Sequence, residues 1–161
     1  MNNVLGIDPG VVGGWAVLNE LGALIAADDL PVVGEGAQRM IAAPLLADIL
    51  GRYQPTTATV ERVGSMPGQG VASTFKFGRA VGVIDGVLGA GRCPVVYVAP
   101  ATWKKYFRVG PEKEQARQRA IETWPDRAAE LFGRKRDHGR SEAALIALWG
   151  LRACLVAGAY R

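Results

Sequence analysis

The stretch Asn3-Val-Leu-Gly-Ile-Asp8-Pro9-Gly10, followed three residues later by Gly14-Trp-Ala-Val-Leu18, decides the fold. Two short apolar runs around a Pro-Gly turn read as neighbouring strands. A third run over 22–30, set off by Asn19-Glu-Leu-Gly22, extends them into an antiparallel meander. Asp8 closes the first strand. A carboxylate at a strand tip, beside glycines that let another backbone come close, can hold a metal ion or a phosphate. Before Pro-Gly, Asp8 can equally be a plain turn residue. One acid cannot hold a divalent ion alone, so its meaning depends on the other acids that interrupt apolar sequence.

The rest of the chain supplies the frame for those acids. Met40, Ile41, Leu45, Leu46, Ile49 and Leu50 recur at helical spacing and predict a helix over 37–53. Thr57 to Val63 is a β-branched run with Glu61 near its end, hence a buried strand. A flexible Gly64–Gly70 loop precedes a second helix over 71–89, in which Gly78, Gly82, Gly86 and Gly89 share one face. Mid-helix glycine costs roughly 0.5–1 kcal/mol against alanine, so four imply that another backbone packs there. A strand over 95–99 ends at Pro100, a polar helix over 112–124 is stopped by Pro125, and the last helix runs from Arg140 to about 157. The order β-β-β-α-β-α-β-α-α describes a mixed five-stranded α/β sheet with helices on both faces, in a single domain over 1–161.

Composition excludes several classes. At 161 residues, 49% hydrophobic and 21% charged, the chain is an ordinary globular protein with a real core. No stretch approaches the roughly 20 apolar residues of a membrane span. Cys93 and Cys154 show no metal-ligand spacing, and the short N-terminal apolar run lacks a basic leader, so a cytoplasmic protein is expected. Net charge is +4, concentrated in residues 101–140, where eleven Lys/Arg face six Asp/Glu. A neutral body with one basic region points to a polyanionic partner, above all nucleic acid.

Four acids suggest what the site does. Asp8 ends the first strand, Glu61 lies near the end of the fourth, and Asp137 and Glu142 flank the start of the last helix. Elements of an open α/β sheet can bring such residues together. Two divalent ions about 4 Å apart on a carboxylate cluster would hydrolyse a phosphodiester. Each acid has a plainer role: Glu142 complements a helix dipole, and Asp137 is a cap or a partner for Arg136. His138, the only histidine, falls one helical turn before Glu142 and can be a ligand, a general base or a surface residue. Asp137 and His138 compete for the fourth place.

Taken together, Gly6-Ile-Asp-Pro-Gly10, the Glu61 strand, Ser73-Thr-Phe-Lys-Phe-Gly-Arg-Ala-Val-Gly82, Pro100-Ala-Thr-Trp-Lys104 and Asp137-His-Gly-Arg-Ser-Glu-Ala143 resemble the RuvC family of Holliday-junction resolvases, closest to its phage and prophage branch. The resemblance implies a ribonuclease H-like fold and an endodeoxyribonuclease that places paired symmetric nicks in four-way and other branched DNA. It further implies a homodimer built on the glycine-faced helix and two Mg²⁺ or Mn²⁺ ions per site, with no small-molecule cofactor and no membrane partner. Asp8, Glu61 and Glu142 fall on the family's metal-binding acids, and Asp137 or His138 on the last position. Lys104 or Lys105 matches a basic residue that meets the cleaved strand. Lys76, Arg79, Arg134, Lys135, Arg136 and Arg140 are the further cations expected on DNA. The family carries an aromatic residue soon after the strand glutamate; none occurs over 62–70, so either Met66 or Gln69 replaces it or branched shape is read with little sequence choice. A non-cleaving junction-binding protein on the same fold is the alternative. The intact acid set argues against it, since carboxylates beside DNA phosphates repel them unless metal is present.

Overall fold

A computed structural model describes residues 2–64, 68 and 70–156, with side chains in the last helix described to 153. Met66 and Gln69 lie outside the described residues. The expected meander forms from β1 (Asn3–Asp8), β2 (Gly14–Leu18) and β3 (Leu24–Asp29), paired antiparallel. A two-stranded ribbon, β4 (Val32–Val33) with β5 (Met40–Ile41), follows it. The chain then runs through α1 (Ala43–Tyr53), β6 (Pro55–Glu61), α2 (Val71–Ala90) and β7 (Val95–Val98). It ends in α3 (Pro100–Phe107), α4 (Lys113–Thr123), α5 (Pro125–Leu131) and α6 (His138–Val156). The main sheet has the order β3-β2-β1-β6-β7, with β6 and β7 parallel to β1. This is the mixed five-stranded sheet of a ribonuclease H-like fold.

Strand alternation sorts the core into two halves. Val4, Ala16 and Leu18 point to one face and pack with α3, α4 and α6; Leu5, Ile7, Trp15 and Val17 point to the other and pack with α1 and α2. Helix α6 is apolar on every side over Ala143–Ala147 because it is enclosed, with all five residues at 0% exposure. Its seat on the sheet depends on glycine. A Cβ on Gly6 would lie 2.1 Å from the Ala143 carbonyl oxygen and 2.7 Å from the Ala147 Cβ. One on Gly150 would lie 1.8 Å from Thr59 Oγ1, and one on Gly14 2.5 Å from the Gly139 carbonyl carbon. At Gly6 and Gly14 helix and strands meet backbone to backbone.

Three local expectations change. The first helix starts at Ala43, because Pro44 belongs in a first turn and cannot sit mid-helix. Residues 36–41 instead form a 3-10 turn and β5. Proline also opens helices rather than only ending them: Pro100 begins α3, which the sequence pattern did not reveal, and Pro125 begins α5. The four glycines of α2 share a face as expected, and a Cβ at any of them would meet nothing within 4 Å. Within the chain that face is open.

The glycine seat yields a direct test. Gly6→Ala should lower stability by at least roughly 1–3 kcal/mol, since its new methyl meets fixed backbone and not a movable side chain. Gly51→Ala, on α1 with open space beyond it, should be neutral or stabilising by up to about 1 kcal/mol. Urea midpoints of the two variants measure the contrast.

Candidate active site

The same alternation that seats α6 aims the acids. Val4, Gly6 and Asp8 share the α6 face of β1, and Thr57, Thr59 and Glu61 share it on β6. Gly6 pairs with Thr59 and Ile7 with Val60, so the parallel strands end with Asp8 and Glu61 side by side. Glu142, in the turn of α6 that rests on Gly6, arrives from above and is 7% exposed. The Asp8 and Glu142 carboxyls lie within hydrogen-bonding reach of each other.

Three acids so close are electrostatically strained. Burial pushes the Asp8 carboxyl well above the usual carboxylate range, and the charges of Glu142 and Glu61 push it further. Burial also raises Glu61, against the opposing effect of a hydrogen bond from Trp103. Trp103 Nε1–H donates to Glu61 Oε1 at 2.8 Å from a fully buried ring. Lys104 Nζ stands 5.4 Å from the centre of that ring and 4.0 Å from Glu142 Oε1. The charge of Lys113, the first residue of α4, acts on Asp8 and partly offsets its upward shift. Neither Trp103 nor Lys113 was expected at the site. Their signal was present as Pro100-Ala-Thr-Trp-Lys104 and as a lysine opening a polar helix, but only an additional helix at α3 gives them a common address.

The other expected residues differ in their surroundings. Asp137 is not drawn into the acid cluster; its side chain is 2% exposed and is gripped by Arg134, whose Nη2 and Nε approach Asp137 Oδ1 at 2.7 and 2.9 Å and whose backbone N–H donates to Oδ2 at 2.8 Å. Burial pushes the Asp137 pKa up, but Arg134 and Arg140 outweigh it and the net shift is down. Arg140 also pairs with Asp28 and Asp29 at 2.7 and 2.8 Å, tying the start of α6 to β3. Arg134 and Arg140 are thus engaged in ion pairs within the fold. His138 is half-buried, and its Nδ1 is buried without a hydrogen-bond partner. Lys76, Arg79, Lys105, Lys135 and Arg136 are exposed.

The donor set suits a hard cation, for carboxylate oxygens that repel one another are relieved by a divalent ion such as Mg²⁺ or Mn²⁺. Among the described residues no group of three or more histidine, cysteine, aspartate or glutamate side chains is drawn together around an ion position. The fit of Asp8, Glu61 and Glu142 to such an ion rests on their carboxylate chemistry and their mutual repulsion.

No family model matches the chain. It is 35% identical over 121 residues to the crossover junction endodeoxyribonuclease RuvC of Nitratidesulfovibrio vulgaris strain Hildenborough, covering 70% of this chain and 71% of that protein. The chain belongs to the RuvC family of crossover junction endodeoxyribonucleases. RuvC of a second strain, DP4, is 35% identical over 126 residues, with 70% and 71% covered. Among solved structures, Thermus thermophilus RuvC in complex with a Holliday junction substrate superposes with a TM-score of 0.68 at 19% identity, over 95% of this chain and 96% of that one. The fowlpox virus Holliday junction resolvase gives 0.62 at 15% identity, over 94% and 98%. These likenesses support the fold of this RuvC-family chain. Among the described residues no helix is long and apolar enough to cross a membrane.

The strain at Asp8 sets a pH dependence. The folded protein holds the Asp8 proton more tightly than the unfolded chain, so it binds more protons between the ordinary and the raised pKa. Metal-free stability therefore falls as pH rises through that window. Asp8→Asn removes the charge. In EDTA at neutral pH its melting temperature should exceed that of the parent, and the gap should close as pH drops toward the ordinary aspartate value. A lower melting temperature for Asp8→Asn at neutral pH would contradict the assigned strain.

Proposed function

We propose that this chain is a metal-dependent endonuclease that resolves four-way DNA junctions, and other branched DNA, by paired symmetric nicks. The observation that supports it is the meeting of Asp8, Glu61 and Glu142, from three different elements, at one end of the sheet with Lys104 and Lys113 beside them. Membership of the RuvC family and the name of the superposed junction complex support the same reading.

Within it, Asp8, Glu61 and Glu142 hold two Mg²⁺ or Mn²⁺ ions. Such ions supply activation of a water and stabilisation of the leaving oxygen. Lys104 and Lys113 meet the scissile phosphate and neutralise its charge. Trp103 fixes the rotamer of Glu61 through its N–H and keeps water from the back of that carboxylate. The net positive 101–140 region follows the DNA backbone, so affinity falls with salt. His138 is the better fourth donor, because its ring nitrogen has no partner whereas Asp137 is occupied by arginines.

A homodimer would match two sites to the two-fold symmetry of a junction. Helix α2 offers the surface: Val71 is 88% and Phe75 72% exposed, and Gly78, Gly82, Gly86 and Gly89 continue their face with open space above. Gly82→Arg should convert a dimer to a monomer in sedimentation velocity; an unchanged sedimentation coefficient would place the interface elsewhere.

Two nuclease tests follow. Asp8→Asn, Glu61→Gln and Glu142→Gln should each slow Mg²⁺-dependent nicking of a synthetic four-way junction by roughly a thousandfold, the scale lost with one group that stabilises reacting charge. Binding of that junction with no nicking by the parent protein would favour the non-cleaving alternative. His138→Ala should slow nicking at unchanged thermal stability. Asp137→Asn should mainly destabilise, by roughly 1.5–3 kcal/mol, the range for hydrogen bonds to a charged group. The reverse pattern would return Asp137 to the site.

A further inference from the structure

The end of β6 carries Glu61, whose register partner on β7 is Val98, and Ala99 alone separates β7 from α3. So short a connection keeps the first turn of α3 beside the end of β6. Trp103 lies there. Its ring is fully buried in the half of the core that holds Val98, Phe107 and α6, and its Nε1–H donates to Glu61 Oε1 at 2.8 Å.

Two properties make this bond restrictive. An indole N–H is a donor only, and among the described residues Glu61 Oε1 is its one acceptor. Turning that oxygen to another partner would leave a buried N–H unpaired, which protein interiors avoid. The ring, enclosed in close-packed core, has no room to swing with the carboxylate. Glu61 is therefore left with Oε2 as its free oxygen.

Divalent ions differ in how many oxygens they demand. Ca²⁺ takes roughly six to eight, at about 2.3–2.6 Å, and accepts both oxygens of one carboxylate, whereas Mg²⁺ requires near-octahedral geometry at roughly 2.0–2.1 Å. Octahedral oxygen coordination also suits Mn²⁺. A carboxylate that offers one oxygen in a fixed orientation serves the small ions and deprives the large one of a ligand.

We propose that Trp103 is a positioning residue that confines Glu61 to ligation through one oxygen and so biases the acid site toward Mg²⁺ and Mn²⁺ and against Ca²⁺. The inference rests on the metal-dependent nuclease reading of Asp8, Glu61 and Glu142 and adds the ion selectivity of that site. Loss of the N–H frees Oε1. A large ion then gains a ligand while a small one loses a pre-oriented carboxylate, so both changes move the ratio of affinities in the same direction.

The test loads the full chain with Mn²⁺ and titrates it with Ca²⁺, following released Mn²⁺ by electron paramagnetic resonance; a direct Mn²⁺ titration gives the second constant. Trp103→Phe keeps an aromatic ring and removes the donor. A second variant replaces Trp103 with 3-benzothienylalanine, which has the shape of indole with sulfur in place of N–H, and it decides the outcome if Trp103→Phe does not fold. Losing a group that orients a metal ligand shifts affinity by roughly 10–100-fold, so the ratio of the Ca²⁺ to the Mn²⁺ dissociation constant should fall at least about tenfold in both variants. A ratio that stays the same or rises, including equal weakening of both ions by a merely structural defect, would overturn the proposal. So would a fall in Trp103→Phe alone, which traces the effect to ring shape. Absence of Mn²⁺ binding by the parent would overturn the acid site and this proposal with it, whereas an unmoved ratio leaves the site standing. Nicking of a four-way junction by the parent judges the nuclease reading separately.

Discussion

The contact on which the structure depends is backbone against backbone, where α6 rests on β1 and β2. Gly6 and Gly14 on the strands and Gly139 on the helix remove the side chains that would hold the layers apart, and Gly150 makes room for the Thr59 side chain of β6. Ordinary helix-on-sheet packing keeps about 10 Å between axes and backbone planes, filled by side chains. Here the first turns of α6 come closer, and that closeness brings Glu142 to Asp8. The ion pairs of Arg140 with Asp28 and Asp29 fix the same turn from the β3 side. Packing thus sets the position of one acid relative to the other two.

The resulting site stores electrostatic cost. Three carboxylates share a partly enclosed space, and the raised pKa values of Asp8 and Glu61 record what the fold sacrifices to hold them there. Trp103, Lys104 and Lys113 moderate that cost without removing it. A structure built for stability alone would replace Asp8 by a neutral residue. Its retention at this place is consistent with a site whose missing charge is supplied by a divalent cation.

Much of this was legible in the chain, for reasons that differ by residue. The meander and the β-branched Glu61 strand follow from period-two patterning and turn residues, and they place Asp8 and Glu61 at one sheet end. Glu142 was legible because an acid interrupts the most apolar helix. Asp137 was not separable from it by spacing, since its occupation by Arg134 depends on a 3-10 turn at 135–137 that carries no strong sequence signal. Proline was read only in part. Pro100 and Pro125 follow the end of a strand and of a helix as expected, but each also opens the next helix, and missing that second role hid α3 and with it Trp103. Lys113 was hidden because its reach to Asp8 depends on how α4 packs on α6, a tertiary matter no local pattern records.

The central claim is that Asp8, Glu61 and Glu142 form one cation site assembled by the glycine seat. Diffraction from crystals soaked in Mn²⁺, collected at the manganese edge, tests it most directly. The account predicts anomalous density at the carboxylates of Asp8, Glu61 and Glu142, with at least one ion at roughly the 2.0–2.1 Å ligand distance of a small hard divalent cation. A peak bound by Asp137 in place of Asp8, or no peak at this end of the sheet, would contradict it.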